Sequence, residues 1–162
     1  MRRRDASAAL AALLAALPLA ASSQDAAPTA QVTELRPADG ELAGQLQRGA
    51  AEARKRGLTA YVQFVADWCG PCKRLRASMG DPAMVDAFRG TYVMRLDADQ
   101  WKQHLGDTGL RPSALPIFFA LDPRGRSAGA AIDGGAWKED IPANMAPPLK
   151  AFFTAHAWKP AS

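Results

Sequence analysis

TAYVQFVADWCGPCKRL, residues 59–75, decides the fold. Its first half, Thr59 to Ala66, is β-branched and aromatic with one polar break at Gln63, the pattern of a buried central strand. Its second half places Cys69 and Cys72 in a C-x-x-C spacing directly after that strand, ahead of a basic helical stretch from Lys73 to Met79. A helix N-terminus carries partial positive charge and free N–H groups, which favour a thiolate over a thiol. Cys69 is therefore expected at the exposed first position with a depressed pKa. Cys72 follows within disulfide reach and faces inward. Gly70-Pro71 fixes the turn and keeps bulk away from an incoming substrate. One sulfur attacks and the other resolves.

Working outward, the chain alternates helices and strands. Asp39-Gly40 is expected to start a helix with Asp39 as its cap, and Leu42, Leu46, Ala50 and Ala53 supply an apolar stripe. After the dithiol, Asp81-Pro82 restarts a short helix carrying Met84, Val85 and Phe88. Thr91–Leu96 is a second strand, Gln100–Leu105 a short helix and Ile117–Leu121 a third strand. Asp122-Pro123-Arg124-Gly125 signals a turn, from which Ser127–Ile132 pairs back. Pro147-Pro148 suit the first turn of a last helix that buries Leu149, Phe152 and Phe153. The fold class is α/β, a central mixed β-sheet with helices on both faces.

The 162 residues hold one domain with an appendage. Residues 1–23 read as a signal peptide: basic Arg2-Arg3-Arg4, then the apolar run Ala8–Ala21, then a small-residue exit. Fourteen residues fall short of the ~20 needed to span a bilayer. Residues 24–38 contain two prolines and no sustained period, and read as a tether; residues 39–162 form the domain. The formal charge is +4, and setting aside residues 2–5 leaves 17 basic against 15 acidic residues. That balance excludes nucleic acid as a partner. The expectation is a periplasmic or otherwise exported protein, monomeric after cleavage.

Two cysteines and two histidines, without ligand spacing between them, cannot complete a four-ligand zinc site. No metal and no cofactor are expected. The rival from another class is a metallochaperone whose two thiolates hold Cu(I), against which stands the lack of a third soft ligand. A second element, Ser113-Ala114-Leu115-Pro116, precedes the third strand. Read alone it fits a trans proline in a loop, because cis bonds are rare.

Trp68-Cys69-Gly70-Pro71-Cys72-Lys73 resembles the active site of the thioredoxin family, and the resemblance runs from about Glu41 to Phe153. It implies the thioredoxin fold, a cis bond at Leu115–Pro116 beside the dithiol, and thiol–disulfide exchange through Cys69 and Cys72. By the same resemblance Trp68, Gly70, Pro71, Leu115 and Pro116 face the substrate. Ala66-Asp67-Trp68-Cys69, Asp81-Pro82 and Ile117-Phe118-Phe119 are most similar to the C-terminal periplasmic domain of DsbD-type disulfide reductases. That subgroup implies protein disulfides as substrates and a membrane-bound electron donor. Gly-Pro between the cysteines resembles the reducing members, so reduction or isomerisation is expected rather than oxidation. Four positions depart from the family. Gln63 stands where thioredoxins carry a buried aspartate, Val65 replaces a second tryptophan, Ala77 the helix-kinking proline, and Leu115 the usual residue before the cis-proline. Arg95 stands where a lysine is usual. Gln63 and Asp67 are the candidates for moving protons. Gly134-Gly135 is placed beside the groove, Trp101, Trp137 and Trp158 in packing or rim positions, Arg74 and Arg76 on a solvated helix face, and Met79, Met84 and Met94 in the core.

Overall fold

Every residue of the strand Thr59–Val65 is buried, and that strand is the middle of the sheet. The computed structural model describes residues 29–159. In chain order the elements are β1 (Gln31–Leu35), α1 (Leu42–Lys55), β2 (Thr59–Val65), α2 (Gly70–Ala77), α3 (Pro82–Ala87), β3 (Thr91–Asp97), α4 (Ala98–Trp101), β4 (Ile117–Leu121), β5 (Ser127–Asp133) and α5 (Pro142–Ala155). The sheet order is β1-β3-β2-β4-β5. β1, β3 and β2 run parallel, while β4 is antiparallel to β2 and β5 to β4.

The two-residue period of β2 divides the core into two layers. Ala60, Val62 and Phe64 meet Leu42, Leu46, Ala50 and Ala53 of α1 and Trp101 of α4. Tyr61 faces the opposite layer, where Leu75 of α2, Met84 of α3, Phe88 just after it, and Leu149 and Phe153 of α5 pack. The Tyr61 ring lies 4.7 Å from that of Phe153, and its hydroxyl donates to the Phe153 carbonyl at 2.8 Å. Burial pushes the Tyr61 phenol far up from its ordinary range, so it stays a neutral donor. Gln63 shares the Tyr61 side of the strand and therefore looks toward α2 rather than α1. Gly125, in the β4–β5 turn at φ +79°, cannot be substituted: a Cβ there would lie 2.6 Å from the Leu46 carbonyl oxygen.

The structure corrects several expectations; the helix expected over Gln100–Leu105 is α4, which ends at Trp101. Part of the stretch read as a tether is β1, which pairs along Gln31–Leu35 with Tyr92–Leu96 of β3. Pro37 lies beyond the strand's end instead of interrupting it, and five residues at a sheet edge carry too short an alternation to register as a period. Asp39 closes a 3-10 turn, Pro37–Asp39, and α1 begins at Leu42, with Glu41 as an N-cap that makes no side-chain bond. In α5 the first-turn proline is Pro142, and Pro147-Pro148 lie inside the helix. The N–H groups they lack are offset by burial of Met145, Ala146, Leu149 and Phe153 on one face. The signal-peptide reading of residues 1–23 lies outside the described residues.

Candidate active site

Cys69 and Cys72 are joined as a disulfide, with 5.3 Å between their Cα atoms. The junction of β2 and α2 puts them there. Cys69 is the N-cap of α2, Gly70 and Pro71 form its first turn, and the Cys72 backbone N–H donates to Cys69 Sγ at 3.2 Å. A proline at the start of a helix sacrifices no internal bond, because that N–H has no partner there anyway. Once the disulfide opens, the same N–H and the helix terminus favour the Cys69 thiolate.

The position of Cys69 ahead of a helix predicts exposure, yet in the disulfide form it is only 3% exposed, and Cys72 5%. The two sulfurs form a small apolar cluster with Val65 and Ala66, against which Leu115 packs. Leu115 comes from a loop more than forty residues further on, so this cover is invisible to local reading. Cys69 nevertheless lines a groove of about 420 Å³ together with Trp68, Gly70, Pro71, Ala98, Ser113 and Leu115. Trp68 stands over it, 68% exposed, its Nε1 donating to Asp99 Oδ2 at 2.7 Å. The Leu115–Pro116 bond is cis. Pro116 itself is buried behind the groove rather than lining it, and its carbonyl accepts from the Gly134 N–H at 3.2 Å. Gly134 thus closes on the proline loop, while neither it nor Gly135 lines the groove.

Cys72 lines a second cleft, of about 260 Å³, on the other side of the disulfide. Gln63, Asp67, Lys73, Arg76 and Arg95 surround it. Sheet register sets its floor: Glu34, Arg95 and Gln63 are direct neighbours across β1, β3 and β2. Arg95, 8% exposed, donates from Nε to Gln63 Oε1 at 2.9 Å and from Nη1 to Glu34 Oε1 at 2.9 Å. Gln63 is 2% exposed and its oxygen is occupied by this bond. It cannot take a proton from Cys72 near neutral pH. Asp67 is exposed at the cleft mouth. Sequence reasoning finds Arg95 only through a resemblance and misses Glu34, Asp99 and Asp140 altogether. All three depend on register or on loop placement rather than on local pattern.

Of the remaining residues, Trp101 and Trp137 are buried, and Trp158 donates its indole N–H to the Leu121 carbonyl at 2.7 Å. Met84 and Met94 are fully buried and Met79 packs against the layer that holds Met84. Arg74 is solvated on one side but bonds Asp140 Oδ2 through Nε and Nη2 at 2.9 and 2.7 Å, joining α2 to the segment ahead of α5. Among the described residues no three His, Cys, Asp or Glu gather as a metal site, and neither cleft beside the disulfide is lined by Met or His.

The thioredoxin family model matches residues 51–146, from within α1 to within α5. The chain belongs to the thioredoxin family. A thioredoxin-like protein HCF164, chloroplastic, from Oryza sativa is 30% identical over 82 residues, and its counterpart from Arabidopsis thaliana 29%. The matched stretch is half of this chain but only 30% and 31% of those relatives. In backbone, a point-mutant thioredoxin from Halobacterium salinarum superposes with a TM-score of 0.52 at 17% identity, covering 81% of this chain and 95% of that one. The sheet order and its helices are those of the thioredoxin fold. This thioredoxin-family chain thus carries a disulfide-bonded cysteine pair at the N-terminus of α2, the arrangement that thiol–disulfide exchange requires.

Proposed function

We propose that the protein is exported and reduces or isomerises protein disulfides outside the cytoplasm, drawing electrons from a membrane-bound donor. The observation that carries the reading is the Cys69–Cys72 pair closed between a groove and a separate cleft, one sulfur on each. In the reducing direction, the Cys69 thiolate attacks a substrate disulfide sulfur. That S–S bond breaks and the departing substrate thiolate takes a proton from solvent. Cys72 loses its proton and its thiolate attacks Cys69 Sγ, so the Cys69–Cys72 bond forms and the second substrate sulfur leaves as thiolate. The substrate gains two electrons and the protein loses two.

Reduction over oxidation is supported by the Gly70-Pro71 pair and its resemblance to reducing thioredoxins. Export is supported by the basic head, apolar run and small-residue exit of residues 1–23. The test is the Cys69–Cys72 equilibrium in a glutathione buffer together with turnover of a disulfide-bonded model protein. A potential well below the glutathione couple is expected. One near about −120 mV, typical of dedicated oxidants, reverses the proposed direction. Mass spectrometry of the mature protein should place its N-terminus between about Ala20 and Gln24. An intact Met1 on cytosolic protein sinks the export reading.

A further inference from the structure

The substrate groove does not end at the dithiol. Ala98, Pro112 and Ser113 line both the groove beside Cys69 and an adjoining hollow of about 430 Å³, so the two sit side by side between α4 and the loop ahead of β4. The floor of the hollow is apolar, made by the buried Phe64 and by Leu105. Its rim is charged and polarised. Asp99, the acid on this rim, is bonded to Trp68 at the dithiol end. Lys102 and Arg111, both exposed, line the hollow but not the groove at Cys69. Among the described residues neither has a carboxylate partner; Arg111 donates only to the neighbouring Leu110 carbonyl. By contrast, Arg74, Arg95 and Arg126 are matched to acids. The walls are built in advance: Asp97 Oδ1 caps α4 through the Asp99 and Gln100 N–H groups, and Pro112 restricts the loop. A prebuilt hollow lowers the ordering cost of binding.

We propose that this hollow is a specificity subsite for an acidic side chain of the substrate polypeptide. The occupant is an extended segment whose cysteine sulfur sits at Cys69 and whose Glu or Asp, a few residues away on one side, lies between Lys102 and Arg111. The apolar floor takes the methylene part of that side chain and the two cations take its carboxylate. This assignment rests on the thiol–disulfide exchange reading above. It adds a charge preference that exchange itself does not require.

The test uses the pre-reduced protein in single turnover against synthetic peptides. Each peptide holds one cysteine in mixed disulfide with 2-mercaptoethanol, and Glu or Gln is placed in turn at each of the positions flanking the cysteine. The expected result is a rate advantage of about fivefold for Glu over Gln, the size of one well-made exposed ion pair. It should appear on one side of the cysteine only and fade as ~1 M salt shortens the screening length to ~3 Å. In Lys102→Gln/Arg111→Gln the Glu and Gln peptides should react equally. Arg111→Glu should turn the preference toward peptides with Lys at the same position. Equal rates for Glu and Gln peptides at every position in the unaltered protein overturn the subsite. So does a Glu advantage that survives in the double variant, because it would then come from Lys73 or Arg76. Bis(2-hydroxyethyl) disulfide, which carries no charge, separates the two levels: failure to reduce it overturns the exchange reading and the subsite with it.

Discussion

Arg95 Nε donates to Gln63 Oε1 at 2.9 Å, inside the cleft that also holds Cys72. An amide oxygen satisfies the guanidinium N–H without cancelling its charge. The carboxylate that does pair with Arg95, Glu34, is half exposed at the sheet edge, where water weakens its field. The charged groups on the cleft itself are Lys73, Arg76 and Arg95 against Asp67. The back of the dithiol is therefore cationic. That charge works toward a thiolate at Cys72 against the burial that disfavours one, and among the described residues no buried carboxylate lines the cleft to receive its proton.

Two substitutions should move the resolving step in opposite directions. Arg95→Met removes the buried cation, so the pH at which resolution reaches half its plateau rate should rise. Glu34→Gln leaves the cation unopposed and should lower it. Each displacement is expected to be under about one pH unit, since one unit already corresponds to ~1.4 kcal/mol of differential interaction. Stopped-flow rates across pH 6–9 provide the check. A purely structural Arg95 would leave both midpoints where they are, whatever the variants do to stability.

The two sulfurs should fail differently. Cys69→Ser should abolish disulfide reduction, because the nucleophile is gone. Cys72→Ser should retain attack but stall, accumulating mixed disulfides with substrate that run as reducible adducts on a gel. Full turnover by Cys72→Ser would rule out the two-sulfur mechanism.

Asp140 should give the protein an acid-side weakness. Partial burial works to raise its carboxyl, but hydrogen bonds from Trp137 Nε1 and Arg74, with the Arg74 charge, outweigh it and hold the pKa below its ordinary value. A group depressed on folding stabilises the native state above its unfolded pKa of ~3.9, and that stabilisation is lost as pH falls through the folded value. Asp140→Asn should cost about 1 kcal/mol at pH 7 and progressively less as pH falls below the unfolded pKa of ~3.9 and through the folded value, read from urea midpoints along an acid series. A loss that stays constant down the series would mean that the charge contributes nothing.

How much of this was legible follows from how local each feature is. The dithiol, its strand and its helix are contiguous in sequence, so Thr59–Ala77 carries its own pattern. β4 and β5 are joined by the turn at Asp122–Gly125, which a short window also contains. β1 is different: Gln31–Leu35 alternates for only five residues, and what makes it a strand is β3, some sixty residues later. The Glu34–Arg95–Gln63 row exists only once that register is set. The cover of Leu115 over Cys69 and the Trp68–Asp99 bond likewise arise from separate loops brought together by the sheet.

Gln63→Asp tests the proton path most directly. Resolution requires Cys72 to lose a proton, and glutamine cannot accept it. An aspartate at this position acts in two opposing ways. It supplies a base on the wall of the same cleft, and it neutralises Arg95, which withdraws support from the Cys72 thiolate. A positioned general base contributes ~10²–10⁴-fold, whereas losing one partly screened charge costs about tenfold at most. The base should win, so resolution near pH 7 is expected to quicken by about tenfold or more and its rise with pH to flatten. Stability should fall, though by less than for an unpaired buried carboxylate, because Arg95 is already 2.9 Å from the side-chain oxygen that Asp would replace. The measurements are stopped-flow release of a mixed disulfide from pH 6 to 9 and thermal unfolding of both proteins. If the rate and pH profile are the same with Gln63 and with aspartate, the proton leaves through cleft water or Asp67, and residue 63 serves only to hold Arg95.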